Sequence, residues 1–189
     1  MTGFRLHLLR HGTPIDAGKM TGWTDCVPMQ EGLAACVERA ARLDVAAIIS
    51  SDLLRARAAA EAIALRMAMP LTTDPRWREL DFGAWDGRAA ADIGTDALAP
   101  FWSDPEANPP PGGERWSSIV ARVGKAIGDL RAADTLVVTH AGAMRAALAL
   151  LCGLDHRQVW MFDLPYASML SLHIWPGEKP SAQIIGLYQ

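Results

Sequence analysis

Leu6-His7-Leu8-Leu9-Arg10-His11-Gly12-Thr13-Pro14 decides how this chain is read. An apolar run that begins at Phe4 stops abruptly at Arg10-His11-Gly12. The run reads as a short buried strand, with a cation, an imidazole and a glycine at its carboxyl end. In open α/β sheets that end is where ligands bind. Arg10 offers a planar fork of donors that matches phosphate oxygens. His11 can act as a nucleophile when it is held neutral and oriented. Gly12 permits a close backbone approach and a positive φ. The bland alternative is a strand followed by an ordinary turn. Three residues do not separate the two, so the reading depends on what the rest of the chain brings to the same place.

Working outward, residues 14–28 form a loop rich in Gly, Asp, Thr and Pro that contains Thr21-Gly22-Trp23-Thr24-Asp25. Apolar and small residues recur at helical spacing over 30–43, and residues 46–49 read as a second buried strand. Ser50-Ser51-Asp52 carries N-cap residue types ahead of an Ala-rich run, which predicts a helix to about Met67 with Arg55 in its first turn. Residues 71–73 suit a third strand, and residues 76–87 a loop holding Trp77, Glu79, Phe82 and Trp85. Residues 89–102 are predicted partly helical, and the Pro- and Gly-rich 104–114 segment is a rigid connection within the domain. A helix over 117–130, a strong strand over 135–139 ending at His140, a helix over 141–151 ended by Gly153, and strands over 168–175 and 182–187 complete the pattern. Strands alternating with helices predict a single α/β domain over residues 1–189, three layers (α/β/α), with a mostly parallel central sheet.

Composition narrows the partners. The 189 residues are 50% hydrophobic and 21% charged, with a net charge of −3. There is no global basic excess to attract nucleic acid or an anionic membrane, so any anion site must be a local cluster of arginines. No apolar run approaches the length of a membrane-spanning helix, and the N-terminus, with Arg5, His7 and Arg10, does not read as a secretory signal. Cys26, Cys36 and Cys152 are an odd number without CxxC spacing, which suits a reducing cytoplasm. The five histidines (His7, His11, His140, His156 and His173) show no metal-ligand spacing, so neither metal nor cofactor is expected. The expected partner is a small-molecule phosphate ester, and a homodimer is admissible.

Four signals share one logic. Two strands end in a histidine followed within two residues by glycine, Arg10-His11-Gly12 and His140-Ala141-Gly142, and parallel strands bring both to one edge. The helix N-terminus after His140 favours an anion, and Ala141 can donate its backbone N–H there. Arg55 opposes its own helix dipole unless an anion lies nearby. Glu79 has aromatic neighbours suited to desolvating a general acid. Singly, each has a plain reading: His140 as structural, Arg55 as a surface cation, Glu79 as a loop acid, the tryptophans of residues 77–85 as partly core. His7, His156 and His173 read as structural. Jointly, Arg10, His11, Arg55, Glu79 and His140 suit phosphoryl transfer: His11 attacks, the arginines and His140 hold oxygens, Glu79 protonates the leaving alcohol.

Leu9-Arg10-His11-Gly12, Ser50-Ser51-Asp52-Leu53-Leu54-Arg55-Ala56, Glu79 to Gly87, and Val138-Thr139-His140-Ala141-Gly142 with Arg145 together resemble the histidine phosphatase superfamily, the phosphoglycerate-mutase-like fold, over nearly the whole chain. The resemblance implies that His11 is the phosphorylated nucleophile, that Arg10, Arg55 and His140 form the phosphate pocket, and that Glu79 is the proton donor. Phe82-Gly83-Ala84-Trp85-Asp86-Gly87 and Pro109 to Glu114 resemble α-ribazole phosphatases, which implies hydrolysis of α-ribazole 5′-phosphate in cobalamin synthesis. Thr21-Gly22-Trp23-Thr24-Asp25 resembles the cofactor-dependent phosphoglycerate mutases instead, and implies that Thr21, Gly22 and Trp23 touch substrate. Those mutases are longer and carry Tyr-Gly where this chain has Phe82-Gly83, which favours a phosphatase. A mutase-type phosphotransferase, a broad-specificity phosphatase and a non-catalytic binder of phosphorylated ligands are the rival readings. The chain departs from the family pattern at Thr13-Pro14, Asp16-Ala17, Ala59, Ala141 and Arg115, which leaves every catalytic group in place and specificity open.

Overall fold

The structure is a computed structural model and describes residues 3–189. Six strands form one sheet in the order β3-β2-β4-β1-β5-β6. They are β1 (Phe4–Arg10), β2 (Ala47–Ser50), β3 (Leu71–Thr73), β4 (Thr135–Thr139), β5 (Met169–Trp175) and β6 (Ser181–Tyr188). The first four are parallel, while β5 and β6 add antiparallel to the β1 edge. The helices are α1 (Gln30–Ala40), α2 (Leu54–Met67), α3 (Ala90–Ile93), α4 (Thr95–Ser103), α5 (Trp116–Gly128) and α6 (Ala141–Cys152).

The alternation of the inner strands sorts the helices into two layers. Leu6, Leu8 and Val137 pack with α5, α6 and the segment that carries Trp77, Trp85 and Phe101. Leu9, Leu136 and Val138 point to the other face and pack with α1 and α2. Both faces of β1 and β4 are covered, which is why these strands read as unbroken apolar runs. The sequence reading of a three-layer domain with a mostly parallel sheet holds.

Two local expectations are corrected, and a third, the partly helical 89–102 stretch, is borne out and refined. No side chain of Ser50, Ser51 or Asp52 caps α2, whose N-cap is Leu53. The cap comes from far away: the Leu54 N–H donates to Asp25 Oδ1 at 2.6 Å. Ser51 and Asp52 are engaged elsewhere, Ser51 with His140 and Asp52 with Arg78. The partly helical 89–102 stretch is two helices that meet at Gly94, where φ is +90°. Gly12 does not use a positive φ. Its value is contact: a Cβ there would lie 2.1 Å from the Gly32 carbonyl oxygen, so the turn that follows β1 runs directly over the start of α1.

Candidate active site

Register assembles the site. β1 and β4 pair in parallel with Arg10 opposite Thr139, and the His11 N–H donates to the Thr139 carbonyl at 2.9 Å. The residues that follow each strand therefore emerge side by side, and the His11 and His140 rings meet edge to face at 5.0 Å between centroids. β2 lies on the other side of β4, so Ser51 reaches His140, with Oγ 2.9 Å from Nε2.

His11 is buried and its Nδ1 lies 2.8 Å from the Gly12 carbonyl oxygen. A carbonyl only accepts, so Nδ1 carries the proton and Nε2 keeps its lone pair. Burial, then the charges of Arg55 and Arg10, push the imidazole pKa well below its ordinary value. His140 is shifted the same way by burial, with Arg55 next in weight. The site thus holds a neutral imidazole with one tautomer selected by the backbone.

Beside it opens a cavity of about 330 Å³ whose wall includes Arg10, His11, Arg55, Glu79, Ala141 and Arg145. Arg10 lies over the Tyr166 ring at 4.0 Å and donates to the Leu164 carbonyl. Arg55 is not a surface cation: it is 1% exposed. Its Nη1 donates to the carbonyl of Thr24, and its Nη2 to those of Thr21 and Gly22, at 2.6–3.1 Å. Among the described residues, Nε of Arg10, Arg55 and Arg145 and Nδ1 of His140 are buried without a hydrogen-bond partner. Such groups on Arg10, Arg55 and His140, next to the His11 imidazole, suit the oxygens of a phosphoryl group, because buried polar groups are otherwise paired.

Glu79 reaches the wall from the loop between two short helical turns, residues 75–77 and 83–85. Its carboxylate accepts from the Leu80 N–H at 2.8 Å and the Gly142 N–H at 3.1 Å, in the first turn of α6. Glycine at 142 is required by that approach, since a Cβ there would lie 1.9 Å from Glu79 Oε1. The Glu79 carbonyl accepts from Trp23 Nε1 at 2.9 Å and Arg122 Nη2 at 2.7 Å. Arg122 in turn pairs with Glu114, the acid of the Pro-Gly-Gly-Glu stretch.

Of the other sequence candidates, Ala141 and Thr21 line the cavity. Gly22 and Trp23 stand behind the wall, where their N–H groups and that of Thr24 donate to the Asp86 carboxylate at 2.7–2.9 Å. They hold the loop that Arg55 and Glu79 lean on. His140 is fully buried behind His11. Ala141 sits in α6 with an ordinary backbone. His7 donates to or accepts from Ser171 across β1 and β5 at 2.7 Å, as a structural residue would. Sequence reasoning missed Arg122, Tyr166 and the site position of Arg145. Arg145 lies one helical turn after Ala141, on the same side of α6, and that spacing was the available signal.

Two strand-end histidines and a set of buried arginines beside one cavity are an arrangement suited to phosphoryl groups, and comparison identifies the family. Residues 6–184 match the model of the histidine phosphatase superfamily (branch 1), and the chain belongs to that superfamily. A bifunctional protein of Mycobacterium tuberculosis is 28% identical over 196 residues, covering 97% of this chain and 54% of that protein, so the chain spans about half of that relative's length. The glucosyl-3-phosphoglycerate phosphatase of Mycolicibacterium vanbaalenii is 33% identical over 170 residues, 79% of this chain and 75% of that one. The crystal structure of the α-ribazole phosphatase from Shigella flexneri superposes with a TM-score of 0.80 at 22% identity, covering 96% of this chain and 95% of that chain, and shares the fold.

Proposed function

We propose that this protein is a phosphomonoester hydrolase that works through a phosphohistidine on His11. One observation carries the reading: Nδ1 of His11 is tied to the Gly12 carbonyl, which leaves Nε2 as the basic nitrogen of a neutral imidazole flanked by Arg10 and Arg55. In the first step Nε2 attacks phosphorus and the bond to the alcohol oxygen breaks. Arg10, Arg55 and His140 take the equatorial oxygens, and Glu79 gives its proton to the leaving oxygen. In the second, water attacks the phosphohistidine, the P–N bond breaks, and Glu79 takes the proton back. No metal enters this scheme.

For the substrate we propose α-ribazole 5′-phosphate, on the resemblance of the 82–87 and 109–114 loops. The relatives named above raise glucosyl-3-phosphoglycerate as the competing substrate. Phosphate release from both, beside 3-phosphoglycerate and p-nitrophenyl phosphate, tests the reading. The enzyme incubated with substrate should carry an acid-labile phosphoryl group that His11→Ala lacks, and His11→Ala should be inactive. Substantial turnover by His11→Ala would remove His11 as nucleophile. A phosphoenzyme that persists in water but returns its phosphoryl group to phosphoglycerate would favour the mutase reading.

A further inference from the structure

Part of the cavity wall is not used by the phosphoryl chemistry. Phe82, Phe101, Trp102, Trp116 and Trp160 line it, and all but Trp116 form a connected series rather than scattered contacts. Phe82 meets Phe101 at 6.1 Å, Phe101 meets Trp102 at 4.7 Å, and Trp102 meets Trp160 at 5.1 Å and 89°. Arg145 closes the series, 4.0 Å above the Trp160 ring. Phe101 is rooted in the core, whereas Trp102 and Trp160 are 42% and 43% exposed. Rings held edge to face at one end and open to solvent at the other present π-faces to whatever enters.

Charge on this part of the wall is mixed. Lys19 is tied to Asp16 at 2.7 Å. Arg145 is stacked on Trp160 and donates to the Phe162 carbonyl at 3.3 Å. Asp163 places a carboxylate on the same wall, with Gln189 beside it at 3.3 Å. Arg10 and Arg55 belong to the phosphoryl group. A guanidinium whose Nε has no partner and a carboxylate thus share this wall, so charge does not choose between neutral and carboxylated alcohols, and the rings are left to make the choice.

We propose that this aromatic wall is the leaving-group subsite, and that Trp102 and Trp160 select alcohols bearing a planar ring, such as nucleoside-type 5′-hydroxyl compounds, over the same alcohols without one. The proposal rests on the phosphatase reading above and adds the residues that select the ring.

The test compares esters that share a primary 5′-oxygen and differ only in the ring: α-ribazole 5′-phosphate and adenosine 5′-monophosphate against ribose 5-phosphate. A ring stacked on tryptophan should raise kcat/KM about tenfold over ribose 5-phosphate. That ratio should fall toward one in Trp102→Ala and in Trp160→Ala. A ratio near one in the parent enzyme overturns the proposal. A second arm needs no turnover. Free α-ribazole and adenosine should quench tryptophan fluorescence saturably, and Trp102→Ala should weaken at least one of the two titrations. If no ester is hydrolysed, the phosphatase reading fails while this titration still decides the subsite: saturable quenching supports it, and its absence with both compounds refutes it.

Discussion

Replacing Gly142 by alanine separates chemistry from stability. Gly142 is the second residue of α6, and an added Cβ would lie 1.9 Å from Glu79 Oε1 and 3.1 Å from its Cδ. The atom it meets first is the end of a flexible side chain, so Glu79 swings aside and the helix stays in place. The exchange removes the Gly142 N–H···Oε2 contact of 3.1 Å, a charge-assisted bond of about 1.5–3 kcal/mol. Alanine in a helix gains about 0.5–1 kcal/mol over glycine, and the freed carboxylate regains water. The net change in folding free energy is therefore small, about 1 kcal/mol or less after resolvation. Activity has no such compensation. A positioned general acid contributes about 10²- to 10⁴-fold, so kcat on an alkyl phosphate should fall at least about a hundredfold, or roughly 2.7 kcal/mol in barrier. p-Nitrophenyl phosphate, whose leaving group scarcely needs a proton, should fall much less. Steady-state kinetics on both esters with a urea melt of the same preparation reads all three quantities. Near-normal turnover of the alkyl ester by Gly142→Ala would refute the assignment of Glu79 as proton donor.

Asp86→Ala should cost about 1–2 kcal/mol in urea unfolding, because the half-buried Gly22 N–H loses its partner while those of Trp23 and Thr24 regain water, and it should raise KM through the loosened Arg55 anchor. Acidification should act in one direction: the folded pKa values of His7, His11 and His140 are lowered below 6.5, so the unfolded chain binds more protons below that pH. Stability is then fully present above about pH 6.5 and declines as pH falls, by about 1.4 kcal/mol per pH unit for each histidine still neutral when folded, which urea melts at pH 7 and pH 5.5 will read. The same shift keeps the His11 imidazole neutral, and the acid limb of kcat/KM should lie below pH 6.5. Turnover should survive exhaustive treatment with EDTA, and loss of activity restored by a divalent ion would overturn the metal-free scheme.

The sheet was legible because its central strands are buried on both faces. Leu6 to Leu9 and Thr135 to Thr139 carry the apolar runs that such burial demands, and the parallel register that follows makes two strand-end histidines into neighbours. His11, Glu79, Arg10, Arg55 and Ala141 were legible for the same reason: each sits at or just beyond a sheet edge, and each reaches one cavity wall. Contacts over long separations were not. The cap of α2 comes from Asp25, 29 residues upstream, while the nearby Ser51 that looked like a cap serves His140. Arg122 sits on an amphipathic helix and reads as a surface cation, yet its guanidinium gathers the carbonyls of Arg76, Arg78 and Glu79. Trp23 matched a substrate-contacting motif, but its indole is spent on the Glu79 backbone. Local periodicity places elements, whereas loop closure decides which polar groups end up paired.

Asp25 caps the helix that carries Arg55, and Arg55 grips the carbonyls of Thr21, Gly22 and Thr24. The loop and the start of the helix are each other's missing hydrogen-bond partners, so they form one exchangeable part rather than two. A loop transplanted here from a relative to alter substrate choice would alter phosphate affinity at the same time, unless it brought an acid to the position of Asp25 and a backbone that returns three carbonyls to the guanidinium. The aromatic side of the cavity takes no part in that joint, so side chains there can change without disturbing it.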